Sequence, residues 1–262
     1  MSRLEYKYLV PLEELSRLRQ TLAPFVEVDT YARDHSDEYT VHSVYFDTFS
    51  LDYYHQKQAG IQHRRKIRVR GYNEQKGEAS VFLEIKRKNN MAISKNRAPF
   101  LFKHIRNLFV SGDVKQYVPN GNGALDAVED AKRFFYHVYR YSLRPTILIH
   151  YEREAFFGKF NPSLRITLDK RLRSSPYPAL EDLFGEDGTR FSLPEHFVLE
   201  VKFHDDISSI PPWLETILEA FSLERMAVSK YTNCLDTHRI PQKSSKGSTL
   251  AFSKSCHFRT WD

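Results

Sequence analysis

Four cations lie on one side of a predicted strand in the segment RRKIRVRG, residues 64–71. A period of two separates an aliphatic face, with Ile67 and Val69, from a charged face. The charged face carries, without any acid, Arg64, Lys66, Arg68 and Arg70. Arginine binds phosphate oxygens as a bidentate fork and lysine supplies compact charge, so this row has the chemistry of a polyanion site.

Charged faces with an excess of cations recur on other predicted strands. Their members are Lys7 beside Glu5, Lys86 beside Glu84, Lys95 with Arg97, Arg153 with Tyr151, Arg165 beside Asp169, and Lys202 with Glu200. A sheet with one face in water gives the same alternation, and for a single strand that simpler interpretation is favoured. Across several strands the excess argues for a ligand, because like charges repel across a sheet.

Two arrangements are compatible with these faces. An open sheet would cover helices with its apolar face and expose a basic surface suited to nucleic acid. A closed barrel of about eight strands would turn the cations inward around one ligand. Most aromatic residues fall on the apolar faces rather than among the cations, which argues against a base-stacking RNA surface.

Several common catalytic motifs are absent from the sequence. It contains no GxxxxGK[ST] loop, so a triphosphate would not be held by a P-loop. No Ser–His–Asp or Cys–His nucleophile is indicated, and the eleven histidines show no metal-ligand spacing. An anion site in this protein would therefore be built from side chains.

Periodicity predicts an antiparallel α+β fold in which strands carry these cations. The helices are predicted after Pro11, between about 100 and 142, and after Pro211. The strands are predicted at 3–10, 41–47, 64–72, 80–88, 92–97, 146–156, 163–169 and 197–203. PNGNG at 119–123 is a predicted loop, and the Ser- and Lys-rich residues 241–262 are expected to be a disordered tail.

Composition predicts a soluble, cytoplasmic protein. The chain has 262 residues, a net charge of +6 and 41% hydrophobic residues, enough for a packed core. Its two cysteines, Cys234 and Cys256, form neither a disulfide framework nor a zinc site. No apolar run approaches the roughly 18 residues of a membrane span, and the strand pattern from Arg3 leaves no room for a signal peptide.

Eight short motifs occur in an order that resembles a known family. They are RLEYKYLV, VHSVYFDT, RRKIRVRGY, VFLEIKRK followed by SKNR, IHYEREAF, LRITLD, VLEVKF and SKY. Together they are similar to the catalytic domain of the vacuolar transporter chaperone (VTC) polyphosphate polymerases, within the CYTH-like triphosphate tunnel metalloenzymes. The resemblance spans about residues 3–233 and implies a VTC-like domain at 1–240 before the tail at 241–262.

The resemblance implies a closed eight-stranded antiparallel β-barrel with flanking helices and a basic tunnel. Such a domain would use Mn²⁺ or Mg²⁺ to pass the γ-phosphate of ATP, or of another triphosphate, to inorganic polyphosphate. The implied phosphate-binding residues are Lys7, Arg68, Arg70, Lys86, Lys95, Arg153, Arg165 and Lys230. Supporting positions are Glu5, Tyr151, Lys202 and Ser229, and the implied metal ligand is Glu200.

Departures from the wider superfamily keep other functions open. Hydrolytic relatives begin with Glu-x-Glu-x-Lys, whereas Arg3 replaces the first glutamate here and leaves Glu5 and Lys7. This difference favours the polymerase over a triphosphatase on the same scaffold. A non-catalytic module that binds polyphosphate or RNA is the third hypothesis. The membrane helices and regulatory domain of the eukaryotic polymerases are missing from this sequence.

Simpler roles remain open for four residues. Glu84 is expected to pair with Lys86 or a neighbouring arginine rather than to bind metal. Asp47 is as compatible with a turn as with a functional role. Asp169 is either a strand-end cap or an orienting partner for Arg153 or Arg165. Lys202 is expected either to pair with Glu200 or to touch phosphate.

Overall fold

The structure is a computed structural model that describes residues 4–73, 78–89, 92–119, 124–203 and 210–240. Arg3, most of the predicted loop at 119–123 and the predicted tail at 241–262 lie outside these residues. The strands are β1 Leu4–Pro11, β2 Val26–Val28, β3 Tyr39–Asp47, β4 His63–Tyr72, β5 Ser80–Asn89, β6 Ala92–Leu101, β7 Arg144–Gly158, β8 Leu164–Pro176, β9 Arg190–Phe191 and β10 His196–Phe203. The helices are α1 Leu15–Leu22, α2 Thr30–Arg33, α3 Asp52–Gln58, α4 Ile105–Ser111, α5 Val114–Tyr117, α6 Ala124–Arg140, α7 Pro212–Ala220 and α8 Lys230–Thr237.

Each of the eight predicted strands is present, and the α+β class is confirmed. The short strands β2 and β9, with three and two residues, carry too little periodicity to be found from sequence. Helices α2, α3 and α8 were not predicted. No helix in the described part of the chain is long and apolar enough to cross a membrane.

The prediction of a closed eight-stranded barrel is wrong. All pairings between the strands are antiparallel, in the order β1-β10-β8-β7-β3-β4-β5-β6, with β2 beside β7 and β9 beside β8. Within the described residues, β1 and β6 end this ten-stranded sheet and no pairing joins them. The two ends of the sheet still approach each other. Lys86 Nζ on β5, the strand next to β6, lies 3.0 Å from Glu5 Oε2 on β1. The sheet is therefore strongly curled but open.

A non-strand segment at residues 225–229 explains why the sheet stays open at β1. The Met226 N–H donates to the Lys7 carbonyl at 2.8 Å, so the free edge of β1 already has a backbone partner. On the other side, Lys66 Nζ of β4 donates to Ser229 Oγ at 3.2 Å. The segment thus lies between the two sides of the opening, where a closed barrel would need a direct strand pair.

The outer face of the curled sheet is apolar and is covered by helices. Ile67, Val69 and Leu83 are buried in one cluster with Leu108 of α4 and Phe134 of α6. The β10 side packs in the same way against α1 and α7. Full burial of each such side chain contributes roughly 1.5–3 kcal/mol, so the outer face holds the fold together. The concave face is left for polar side chains.

Asp47 has a structural role at the end of β3. Its carboxylate accepts hydrogen bonds from the backbone N–H groups of Thr48, Tyr53 and Tyr54 at 2.7–3.0 Å and from the Tyr231 hydroxyl. It therefore fixes the start of α3 and ties that turn to α8. These contacts support the turn alternative for this residue.

A buried histidine pair on the outer face predicts acid sensitivity. His42 Nδ1 and His150 Nδ1 are 2.7 Å apart. Burial, and then His150, lower the pKa of His42 to about 3, while burial and Arg173 lower that of His150 to about 4. Unfolded histidine protonates near pH 6.5, as a rough reference value. The stability that the neutral histidine pair contributes is therefore fully present above about pH 6.5. It is lost as the pH falls toward the folded-state pKa values of about 3 and about 4.

Replacing one member of the pair should weaken this pH dependence. Each neutral histidine contributes a slope of about 1.4 kcal/mol per pH unit between its two pKa values. We expect His42→Gln to reduce the slope of the unfolding free energy by about that amount between roughly pH 6 and pH 4.5, measured by urea denaturation. His63→Gln, at an exposed histidine, is the control. An unchanged slope in His42→Gln would show that the pair does not titrate as described.

Candidate functional site

Arg68 and Arg70 project from β4 onto the concave face, as the two-residue period predicts. Arg68 Nε and Nη2 donate to Glu84 Oε2 at 2.8 and 2.7 Å, and Nη1 donates to the Tyr45 hydroxyl at 2.7 Å. Arg70 donates to Ser43 Oγ at 3.1 Å and to the Tyr151 hydroxyl at 3.3 Å. These contacts hold both guanidinium groups in fixed orientations without satisfying all of their donors.

Glu84 is the common carboxylate partner of this side of the site. Besides Arg68, it lies 2.8 Å from Lys95 Nζ and 3.3 Å from Arg97 Nε. Burial alone would raise its pKa, but Arg68, Arg70 and Lys95 outweigh burial and hold the pKa well below its usual range. The expectation of a neighbouring arginine partner is confirmed. Lys86 instead pairs with Glu5 on β1.

Arg153, Asp169 and Lys230 form a buried ion cluster on the opposite side of the site. Arg153 donates through Nε and Nη2 to the two carboxylate oxygens of Asp169 at 2.6 and 2.8 Å. Lys230 Nζ, at the start of α8, is 2.5 Å from the same carboxylate. Burial opposes ionisation of Asp169, but Arg153 and Lys230 outweigh it and lower its pKa to about 2. Asp169 is thus an orienting partner, for Arg153 rather than for Arg165.

Neutralising Asp169 should destabilise the protein strongly. Asp169→Asn leaves the buried Arg153 and Lys230 without their shared carboxylate, which typically costs about 3–5 kcal/mol. We expect a loss of that size in urea denaturation. Glu129→Gln, at an exposed carboxylate on α6, should change stability by less than about 0.5 kcal/mol. Equal stability of Asp169→Asn and the parent protein would show that the cluster does not hold the fold.

Arg153 differs from the sequence-based expectation in one respect. The sequence predicts that Arg68→Ala and Arg153→Ala each remove activity and leave the fold intact. Because Arg153 is the bidentate partner of a fully buried Asp169 side chain, we now expect its loss to reduce stability as well. Arg68 shares Glu84 with three other cations, Arg70, Lys95 and Arg97, so its removal should perturb folding less.

Glu200 and Glu5 lie together at the β1–β10 pair. Lys7 Nζ is 3.3 Å from Glu200 Oε1 and 2.9 Å from Glu5 Oε1, and Lys202 Nζ is 2.5 Å from Glu200 Oε2. Burial would raise the pKa of Glu200, but Lys202 and Lys7 hold it well below its usual range. Burial, partly offset by Glu200, lowers the pKa of Lys202 to about 8. Burial and Glu200 would raise the pKa of Glu5, but Lys7 and Lys86 lower it, so both carboxylates are kept ionised among cations.

The two carboxylates suit a divalent cation that also binds phosphate. Mg²⁺ needs only one or two carboxylates when phosphate oxygens and water complete its coordination. Glu5 and Glu200 both contact Lys7 Nζ, so they supply two neighbouring hard oxygen donors. Among the described residues, no three His, Cys, Asp or Glu side chains group into a metal site. The donor set therefore fits a metal held jointly with a phosphate ligand.

Side chains from both sides of the site and from the β1–β10 pair converge on one cavity of about 100 Å³ on the concave face. Eight cations and two carboxylates line it, so its wall has a large positive excess. The lining residues are Glu5, Lys7, Tyr45, Lys66, Arg68, Arg70, Lys86, Tyr151, Arg153, Glu200, Lys202 and Lys230. We call this space the central cavity. A buried concentration of cations of this kind requires water or a polyanion for stabilisation.

Ten of the predicted site residues line the central cavity, and three do not. Lys95 turns to Glu84, and Arg165 Nη2 donates to Asp29 Oδ2 at 3.0 Å. Ser229 caps the N-terminus of α8 and accepts a hydrogen bond from Lys66. The functional roles of all thirteen residues remain predictions.

Two lining residues were missing from the predicted site. Lys66 belongs to the row of cations on β4, so continuing that row would have included it. Tyr45 lies on β3 in register with Arg68, and its hydroxyl accepts a hydrogen bond from that residue. Tyr45 follows Ser43 by two residues and therefore shares its face of β3, and this spacing is the sequence signal that could have placed Tyr45 in the site.

Comparisons with known proteins found similar solved structures and a matching family profile. No curated protein matches the chain. A protein from Hippeastrum, whose description reads "putative adenylyl cyclase" with "a dominant triphosphatase activity", is 14% identical with a TM-score of 0.47, over 90% of this chain and 96% of its own. The Mediator head module of Schizosaccharomyces pombe is 11% identical with a TM-score of 0.37, over 86% and 100%. Both TM-scores indicate only a loose similarity.

A family profile also matches, over most of the chain. The profile described as VTC domain matches residues 2–238, which include every residue of the central cavity. The chain therefore belongs to the VTC domain family.

Proposed function

We propose that this protein is a metal-dependent polyphosphate polymerase that transfers the γ-phosphate of ATP to a growing polyphosphate chain. Membership of the VTC domain family supports an enzyme that acts on phosphates. The observation that carries the finer proposal is the convergence of eight cations with the Glu5–Glu200 pair on one concave cavity. Phosphoryl transfer depends mainly on positioning and charge stabilisation, which such a wall supplies.

The proposed transfer needs no general base. A terminal oxygen of the polyphosphate chain, already ionised, attacks the γ-phosphorus of ATP and forms a new phosphoanhydride bond. The bond from the γ-phosphorus to the β-bridging oxygen breaks, and its electron pair leaves with ADP. Arg68, Arg70 and Arg153 would hold non-bridging oxygens in place, because bidentate guanidinium contacts fix orientation as well as charge. Lys7 and Lys202 would offset charge beside the Glu5–Glu200 pair.

Glu200 and Glu5 are the residues that would hold Mn²⁺ or Mg²⁺. The metal, when bound with the substrate, supplies charge neutralisation at the phosphate oxygens. The carboxylates must be ionised for this, and Lys7 and Lys202 keep the pKa of Glu200 low.

A triphosphatase is the second candidate on the same scaffold. The adjacency of Glu5 and Glu200 favours it, since a carboxylate beside the phosphates could orient water as the attacking nucleophile. Water would then take the position of the chain end, and orthophosphate would be released. The two functions differ only in the nucleophile that reaches the γ-phosphate.

Product analysis distinguishes the two functions. Purified protein is incubated with ATP and Mn²⁺, and the products are followed by phosphorus NMR and gel electrophoresis. The polymerase predicts ADP together with signals of mid-chain phosphates that grow with time. Orthophosphate without chains would establish the triphosphatase, and neither product under any metal would leave a binding module.

A further inference from the structure

A second cavity, of about 410 Å³, opens from the central cavity at one mouth of the curled sheet. The two cavities share Glu5, Lys7, Lys66 and Lys86, so they are continuous. The outer one is completed by the backbone segment at 225–229 described above. Its additional cations are Lys57 of α3, Arg64 of β4, Lys88 of β5 and Arg225. We call Lys57, Arg64 and Lys88 the outer subsite.

The strand register concentrates cations at this mouth. On β4 and β5, Arg68 is opposite Glu84, which gives a balanced pair. Moving toward the mouth, the next same-face pairs are Lys66 opposite Lys86 and then Arg64 opposite Lys88. Like charges directly opposite across an antiparallel pair are destabilising. Two successive pairs of this kind therefore indicate a function other than holding the sheet together.

Four cations of the mouth lack local carboxylate partners, in contrast to Lys7 and Lys86, which pair with Glu5. Among the residues the structure describes, none of Lys57, Arg64, Lys66 and Lys88 has an Asp or Glu oxygen within 4.0 Å. Arg64 donates to the Ile61 carbonyl and Lys66 to Ser229 Oγ. Burial, and then Arg64, Lys7 and Lys88, lower the pKa of Lys57. These cations therefore repel one another, and a bound anion would relieve that repulsion.

The shape of this cationic surface fits a linear phosphate chain. Same-face cations on β4 recur about every 6.6 Å and lead from Arg64 through Lys66 into the central cavity. Met226, Ala227 and Val228 are the apolar lining of the outer cavity, which thus offers no aromatic ring for base stacking. Arg225 lies 4.0 Å from the ring centroid of Tyr6, which packs on the apolar outer face, so its guanidinium is directed away from the concave face.

We propose that the outer subsite binds the part of a polyphosphate chain that extends beyond the central cavity. It would make the protein prefer long chains over tripolyphosphate. It would also determine which opening of the curled sheet the chain passes through. This inference rests on the proposed use of phosphate chains, but it concerns binding and not turnover.

Binding of two chain lengths tests the proposal. The triple variant Lys57→Ala, Arg64→Ala, Lys88→Ala is titrated by calorimetry, without ATP, with long-chain polyphosphate and with tripolyphosphate. Each lost phosphate contact should reduce the slope of log affinity against log salt by about 0.7, so the long-chain slope should fall by about 2. We expect the long-chain affinity to fall about tenfold or more relative to that for tripolyphosphate.

A matched control removes the same charge elsewhere. Lys103→Ala, Lys132→Ala, Arg133→Ala changes three cations that pair with Glu78, Glu129 and Asp130 on the outer side, and should alter neither affinity. Circular dichroism checks that both triple variants are folded. Equal losses for the two chain lengths, or single-stranded RNA of equal charge binding the parent as tightly as polyphosphate, would overturn the outer subsite.

Failure of this inference is distinguishable from failure of the proposed function. If the triple variant retains its long-chain preference while the parent makes chains from ATP, the outer subsite is wrong and the polymerase stands. If the preference is lost in the variant but the parent releases only orthophosphate, the subsite stands and the polymerase is wrong.

Discussion

Glu200→Gln is expected to reduce phosphoryl transfer by about 10²- to 10³-fold, the range typical of losing a major electrostatic group in an active site. The substitution keeps the shape of the side chain and removes the charge that Glu5 and Glu200 would offer together to the metal. It also leaves Lys7 and Lys202 next to a neutral amide, which changes the charge at the phosphate-binding wall. The rate of ADP release from ATP at several Mn²⁺ concentrations measures the effect.

The control for this variant is Glu152→Gln. Glu152 lies on β7 beside the site, but its carboxylate pairs with Arg171 and Arg173 and does not line the central cavity. Its neutralisation should change the rate by less than about threefold. A Glu200→Gln protein that is folded and retains parental activity at low Mn²⁺ would rule out Glu200 as the metal-holding residue.

Tripolyphosphate should stabilise the protein strongly, even without turnover. A ligand at about 1,000 times its Kd adds about 4 kcal/mol to the unfolding free energy, which for a domain of this size raises Tm by about 10 °C. The physical reason is that the cations of the central cavity repel one another until an anion is bound. Differential scanning fluorimetry measures this shift, which should shrink at high salt.

The charge variants locate the source of that shift. Arg70→Ala removes a buried guanidinium of the central cavity, so the increase in Tm with tripolyphosphate should fall by half or more. Arg133→Ala removes an exposed cation on α6 and should leave the increase unchanged. If both variants respond as the parent does, the stabilisation arises from nonspecific binding to basic surface.

The sequence was sufficient to predict the faces of the strands but not their closure. The alternation of Ile67 and Val69 with Arg68 and Arg70 predicts one buried and one charged face, and both are present. Whether the sheet closes depends on what pairs with the edge of β1. That partner is Met226 in a non-periodic segment 219 positions away from Lys7, and no local pattern reveals it.

Carboxylate partners of the cations were the least predictable part of the site. Lys95 and Arg165 were expected to bind phosphate, yet their side chains turn to Glu84 and Asp29. Asp29 lies on the loop before α2, so its approach to β8 depends on the tertiary fold. In contrast, Lys202 and Glu200 are two residues apart on one strand, and their contact follows from that spacing.

A crystal structure of the protein with tripolyphosphate and Mn²⁺ tests the central claim most directly, namely that the concave face of this open sheet binds a phosphate chain. We expect the phosphorus atoms to lie in the central cavity, within hydrogen-bond reach of Arg68, Arg70 and Arg153, and the metal to contact Glu200. Phosphates found on the outer surface, with the central cavity still holding only water, would contradict it.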